Sequence, residues 1–83
     1  MKNKHAILLN DATIKYYAWF SNAFRGDRTM IKGCNKDLRD LKKITSMIES
    51  NEDKNKIARA MWSLDTAVRE VIPDEVYYAY TEL

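Results

Sequence analysis

Residues that build tight turns are nearly missing from this chain, which has two glycines and one proline among its 83 residues. Hairpins and the corners of β-sandwiches depend on these residues, because they supply the backbone angles that sharp turns require. Hydrophobic residues make up 46% and charged residues 31%, which is the balance of a globular domain rather than of a disordered segment. The sequence therefore predicts one all-α domain over residues 1–83, a small bundle of three to four helices.

The clearest helical pattern lies in residues 57–72, where apolar residues recur every three or four positions, as on one face of a helix. This apolar stripe consists of Ile57, Met61, Leu64, Val68 and Val71. Asn51 or Ser50 is predicted to cap the start of this helix, and Pro73 to stop it. Residues 73–83 predict a short further helix, because a proline followed by acidic residues is typical of a helix start.

A second helix is predicted over residues 36–49, with Asn35 at its N-cap. Its apolar stripe consists of Leu38, Leu41, Ile44, Thr45 and Ile48. Basic residues gather on its opposite side. Residues 26–34, which contain both glycines of the chain, are predicted to form the longest loop, with a short extended piece at 29–31.

The first helix, predicted over residues 10–25, has an unusually wide apolar surface. Its polar residues occupy one stripe, and the apolar arc covers more than about 200° of the circumference, which exceeds what one packing contact needs. The arc contains Ile14, Tyr16, Tyr17, Trp19, Phe20, Ala23 and Phe24. We expect this helix to lie at the centre of the fold or to be contacted on two sides. Residues 4–9 either extend it or form a separate turn.

The chain lacks the residue sets that most enzymes and metal sites require. A single cysteine, Cys34, excludes an internal disulfide and a multi-thiolate metal site. The single histidine, His5, is expected to be exposed near a chain end, where nothing would position it as a general base. Cys34 lies beside Lys32 and Lys36 and before a predicted helix start, features that lower a thiol pKa, but an ordinary half-buried cysteine is the favoured interpretation. We expect no enzymatic activity, no metal and no cofactor.

Cations are concentrated in the middle of the chain. Residues 25–43 carry seven cations and three anions, whereas residues 44–83 carry four cations and eight anions. The basic stretch could bind the phosphates of a nucleic acid or a phosphorylated nucleotide, with the preceding aromatic residues stacking on bases. Against this, aspartates interleave with the cations, and the isoelectric point of 8.7 is low for a nucleic-acid-binding domain. The candidate phosphate-binding residues are Arg25, Arg28, Lys32, Lys36, Arg39, Lys42 and Lys43.

Aromatic residues and arginines indicate a different surface, because Trp, Tyr and Arg are enriched at the centres of protein interfaces. On the helical wheel Trp62 lies off the apolar stripe and near Arg59 and Arg69, although it could also pack under the tyrosine-rich tail. The leading hypothesis is a non-enzymatic protein-interaction module, an inhibitor or adaptor that occupies a partner surface. This hypothesis is suggested by an analogy of size and composition with small phage and mobile-element proteins that block host machinery. The candidate partner-binding residues are Tyr16, Trp19, Phe20, Arg59, Trp62 and Arg69.

The remaining expectations concern the localisation, the partners and the oligomeric state of the protein. No apolar run approaches the roughly 18 residues of a membrane span, and the start of the chain lacks the apolar region of a signal peptide. We therefore expect a cytoplasmic protein without a membrane partner. Another protein is the first choice of partner and a nucleic acid or nucleotide the second. A homodimer is an alternative that would cover the wide apolar arc of the first helix.

Overall fold

The structure is a computed structural model that describes residues 3–82. Within these residues there are five α-helices and no strand, and 79% of the residues are helical. The prediction of a small all-α bundle is confirmed. The helices are α1 (Lys4–Ala23), α2 (Arg28–Glu49), α3 (Lys54–Trp62), α4 (Thr66–Arg69) and α5 (Asp74–Thr81).

The two long helices, α1 and α2, form an antiparallel hairpin. At 20 and 22 residues each is about 30 Å long. The side chain of Asn3 caps α1, since its Oδ1 accepts hydrogen bonds from the backbone N–H groups of His5 and Ala6 at 2.8 and 3.4 Å. Residues 4–9 therefore extend the first helix and do not form a separate turn.

The turn between α1 and α2 is much shorter than the predicted loop over residues 26–34. Asp27 caps α2, because its side chain accepts a hydrogen bond from the backbone N–H three residues on, at 3.1 Å. The helix therefore begins at Arg28, and Asn35 lies inside it, so the predicted cap and the extended piece are wrong. Gly26 lies in the turn with φ 87°, a left-handed conformation that favours glycine.

The end of α2 uses the two residues that were predicted to start the next helix. Ser50 is the C-cap, and Asn51 follows it in the left-handed region with φ 56°. The N–H groups of Asn51 and of the next residue donate to the carbonyls of Ile48 and Met47 at 3.1 and 3.0 Å, which closes the helix as in a Schellman motif. Asp53 caps α3 instead, because its side chain accepts a hydrogen bond from the backbone two residues on.

The predicted continuous helix over residues 57–72 is broken into α3 and α4. The helix ends at Trp62, and Asp65 is the N-cap of α4. The guanidinium of Arg69 donates from Nη2 to the carbonyl oxygens of Trp62 and Leu64 at 3.2 and 3.0 Å. These bonds satisfy acceptors that a helix end leaves without partners.

The main core lies at one end of the α1–α2 hairpin, where α3, α4 and α5 pack against it. Two side-chain contacts join α5 to the start of α1: Lys4 Nζ lies 3.0 Å from a carboxylate oxygen of Glu75, and His5 Nδ1 lies 3.3 Å from the hydroxyl of Tyr80. His5 is therefore half-buried and not exposed as predicted. The core consists of Ala6, Leu9, Leu41, Ile44, Ile48, Ile57, Met61, Leu64, Val68, Ile72 and Val76.

Residues 17–36, which we call the hairpin tip, extend beyond this core. Phe20 and Cys34 are buried there, but they do not belong to the main core cluster. Ile14, next to the tip, is 59% exposed. The prediction that the first helix lies at the centre of the fold, with residues 14–24 as its central part, is therefore wrong, because Ile14, Tyr17 and Trp19 are exposed and the main core lies at the other end of the hairpin.

Candidate functional site

A solvent-open groove of about 310 Å³ runs between α1 and α2. Its apolar residues are Ile14 and Tyr17 from α1, which are 59% and 43% exposed, and Leu38 from α2, which is half-buried. These side chains neither belong to the main core nor pack against it. The residues that line this α1–α2 groove are Asn10, Thr13, Ile14, Tyr17, Asn35, Leu38 and Lys42.

The cations of α2 form a basic face beside this groove. Five of them recur at helical spacing on the solvent side, namely Arg28, Lys32, Lys36, Arg39 and Lys43. Lys42 lies nearer the groove, and Arg25 lies in the preceding turn. All seven predicted phosphate-binding residues are exposed. Within the part of the chain that the structure describes, the observed ion pairs involve other lysines, so these seven cations are free of carboxylate partners.

The aspartates of α2 are less exposed than its cations, although they alternate with the cations in sequence. Asp37 is half-buried and accepts a hydrogen bond from the hydroxyl of Tyr16 at 3.2 Å. Asp40 is also half-buried and lies in a depression with Ala60 of α3, with Ser63 just after that helix, and with Lys43 of the basic face. The helix thus leaves its cations more exposed to solvent than its two half-buried aspartates, although Lys43 remains beside Asp40.

A small polar cluster lies where the core end meets the hairpin tip. Burial raises the pKa of Tyr16 to about 12, and the charge of Asp37 adds to this shift. Burial also raises the pKa of Asp37, although the hydrogen bond from Tyr16 acts in the opposite direction. Two titratable side chains are therefore held in the space between α1 and α2 by one hydrogen bond.

Cys34 is not an activated thiol. The residue is completely buried inside α2, and burial raises the pKa of its thiol. Lys32 and Lys36 are exposed on a different side of the helix, because residues two apart are separated by about 200°. The features that suggested a lowered pKa are lost because α2 begins at Arg28, well before the cysteine.

Three of the six predicted partner-binding residues are accessible. Trp19 is 61% exposed and lies on the hairpin tip, whereas Trp62 is 46% exposed and ends α3. Arg59 is exposed one turn before Trp62. Trp62 has no aromatic contact with the tyrosines of α5, so it does not pack under the tail as a stacked ring.

The other three predicted residues are used inside the molecule. Phe20 is only 9% exposed, and its ring centroid lies 4.6 Å from that of Phe24. Tyr16 is half-buried and hydrogen-bonded to Asp37. Arg69 is occupied by the carbonyls at the α3–α4 break. The six residues therefore do not form one continuous surface.

Sequence reasoning missed the groove although Ile14 and Tyr17 belong to the apolar arc that it identified. It selected side chains by residue type, which favoured Trp19 and Phe20. The available signal was positional: Ile14 and Tyr17 lie towards one edge of that arc, and both are exposed. Leu38 was assigned to the buried stripe of its helix, and its half-burial could not be read from spacing.

Comparisons with family models, with curated proteins and with solved structures find no match to this chain. Within residues 3–82 no group of three or more His, Cys, Asp or Glu side chains is close enough to hold a metal ion. Over the same residues no helix is long and apolar enough to cross a membrane. A functional proposal therefore depends on the α1–α2 groove and the basic face of α2.

Proposed function

We propose that the protein is a non-enzymatic protein-interaction module that binds a partner protein in the α1–α2 groove. It acts as an inhibitor or adaptor by occupying a surface of that partner. The supporting observation is the exposure of Ile14 and Tyr17 beside Leu38, on a face that no other helix of residues 3–82 covers. Covering exposed apolar side chains is favourable, by about 1.5–3 kcal/mol for each large one that becomes fully buried.

The shape of the groove suits a helical segment of the partner. Ile14 and Tyr17 lie three residues apart on α1, and Leu38 faces them from α2. Grooves between two helices bind amphipathic helices through apolar anchors that recur every three or four residues. Tyr17 combines a large apolar ring with a hydroxyl, the type of side chain that interfaces favour.

The test uses two exposed tyrosines as a matched pair. The complete chain, as wild type, Tyr17→Ser or Tyr78→Ser, is expressed in its native cell with a photo-crosslinking residue at position 10, where the exposed Asn10 lines the groove. Tyr17 lines the groove, whereas Tyr78 is 56% exposed on α5 and outside it. We expect one protein to crosslink to wild type and Tyr78→Ser and to be lost in Tyr17→Ser. Equal crosslinking of all three forms, or no crosslinked protein, would contradict the proposal.

A second candidate function is binding of a nucleic acid or phosphorylated nucleotide by the basic face of α2. It is favoured by the exposure of the cations of α2, whereas Asp37 and Asp40 on the same helix are half-buried. Such binding depends on charge and should weaken steeply with added salt, whereas binding in an apolar groove should not. The double variant Arg39→Glu, Lys43→Glu should abolish phosphate binding and leave Tyr17-dependent crosslinking in place.

A further inference from the structure

The two sides of the α1–α2 groove differ in charge. Its α1 side contributes Asn10 and Thr13, which are uncharged, whereas its α2 side contributes Lys42. A second depression of about 440 Å³ adjoins the groove, shares Asn35, Leu38 and Lys42 with it, and is lined in addition by Lys32 and Arg39. An apolar floor is thus bordered along one side by three exposed cations.

We propose that the segment bound in this groove is an acidic amphipathic helix of a partner protein. This inference rests on the proposed function and adds the chemistry of the partner. The apolar stripe of the helix would cover Ile14, Tyr17 and Leu38, and carboxylates on one of its flanks would lie beside Lys32 and Lys42. Electrostatic complementarity of this kind sets the orientation and specificity of an interface.

The spacing of the cations supports a helix of ordinary length. Lys32 and Lys42 are ten residues apart on α2, which corresponds to about 15 Å along the helix axis. A partner helix of three turns lying along the groove would pass both cations and present two or three acidic positions to them. The absence of carboxylate partners for these cations within the described residues leaves them available for that contact.

A second copy of the chain is a poorer occupant of this face. In a two-fold dimer the same patch meets itself, and neither depression is lined by an acidic residue, so a second copy would offer Lys32, Arg39 and Lys42 no carboxylate and would bring surfaces of the same sign together. Like charges across an interface are destabilising. A nucleic acid would pair with the cations, but it would leave Ile14 and Leu38 against phosphates and sugars, which gain little from aliphatic contact.

The experiment is a selection from a display library of 16-residue helical peptides with the complete chain as bait. Every peptide carries the same apolar stripe, and the flanking positions vary among Asp, Glu, Lys and Ser. We expect the enriched peptides to carry an excess of Asp and Glu on one flank. Lys42→Glu should weaken the best peptide by about tenfold at low salt, and Tyr17→Ser by a similar factor. Lys54→Glu, which changes the net charge equally but lies on α3, should have less than about a twofold effect.

Each alternative outcome is decisive. Enriched peptides without an acidic excess that still depend on Tyr17 would overturn the acidic assignment and leave the proposed function standing. Enrichment of no peptide, or binding that Tyr17→Ser does not weaken, would overturn the inference, while the photo-crosslinking experiment decides the proposed function separately. The inference would also be overturned if a short RNA displaced the best peptide. The same holds if light scattering showed a dimer of the wild-type chain that Tyr17→Ser converts to a monomer. Circular dichroism of each variant shows that the helices are retained.

Discussion

The two ends of the α1–α2 hairpin are built from the same pair of helices, yet they have different surroundings. At the core end, Leu9 and Leu41 are completely buried because α3, α4 and α5 cover them. At the hairpin tip, Trp19 is 61% exposed and Met30 37%. The longest of the three short helices has nine residues, or about 14 Å, which is under half the length of the hairpin. The tip therefore depends on packing between α1 and α2 alone.

The largest expected difference in stability between the main core and the α1–α2 groove concerns two leucines that lie one turn apart on α2. Leu41 is fully buried in the main core, and Leu38 is half-buried in the α1–α2 groove. We expect Leu41→Ala to lower the free energy of unfolding by about 3 kcal/mol, since it leaves a cavity. Leu38→Ala should cost about 1 kcal/mol, because much of its side chain is already in contact with water. Urea denaturation measures both, and equal losses would show that the groove is as tightly packed as the core.

A smaller effect is expected at the junction of the two ends, where Tyr16 donates to Asp37. The pKa of Tyr16 is about 12 in the folded chain, above its ordinary value of 10.0. The folded state therefore favours the protonated phenol, and the stability linked to it is complete below pH 10 and is lost as the pH rises from 10 to 12. A shift of two units corresponds to at most about 2.7 kcal/mol, and partial exposure of the ring reduces this to about 1–2 kcal/mol.

Urea denaturation between pH 9 and pH 11.5 tests this expectation. Wild type should lose stability over that interval, and Tyr16→Phe should lose less because it has no phenol to ionise at this position. Tyr78→Phe is the control, since its ring is 56% exposed on α5. Parallel curves for wild type and Tyr16→Phe would mean that Tyr16 is as well solvated as an ordinary surface tyrosine.

The smallest expected changes in stability concern the two residues with positive φ, one at each end of the hairpin. Gly26 lies in the turn at the tip with φ 87°, and Asn51 lies just after α2 at the core end with φ 56°. Gly26→Ala should destabilise by about 1 kcal/mol through backbone strain alone, because no atom lies within 4 Å of an added Cβ. Asn51→Gly should change stability by less than about 0.5 kcal/mol, since glycine adopts this conformation freely. Thermal unfolding compares the two, and a neutral Gly26→Ala would indicate a turn that readjusts.

The helices themselves were largely predictable from the sequence because the signals for them are local. The apolar stripe that begins at Ile57 and the acidic start after Pro73 both correspond to helices of the structure. Helix boundaries were less predictable where two residues offered equivalent caps. Asp27 and Asn35 are both good N-cap residues, and the chain uses the earlier one even though it places Gly33 inside α2. The added helical turns bring buried Cys34 against α1, a gain that only tertiary packing can supply.

The candidate site was only partly predictable from the sequence, again because tertiary packing cannot be read from local signals. Helical periodicity located the wide apolar arc of α1 and the cations of α2, since both depend on spacing along one helix. It did not show that Phe20 is buried while Tyr17 is 43% exposed, although the two belong to the same arc. That distinction depends on where the neighbouring helices lie, and those contacts join residues that are far apart in the chain.

The sequence by itself determined that this protein is helical and that the cations of α2 share one side of a helix, because both follow from residue spacing and from the scarcity of turn residues. Only the tertiary structure decided which part of the apolar arc remains accessible and which acids turn inward. Burial depends on contacts between distant segments. The three short helices cover one end of the hairpin and leave Ile14 and Tyr17 open to solvent.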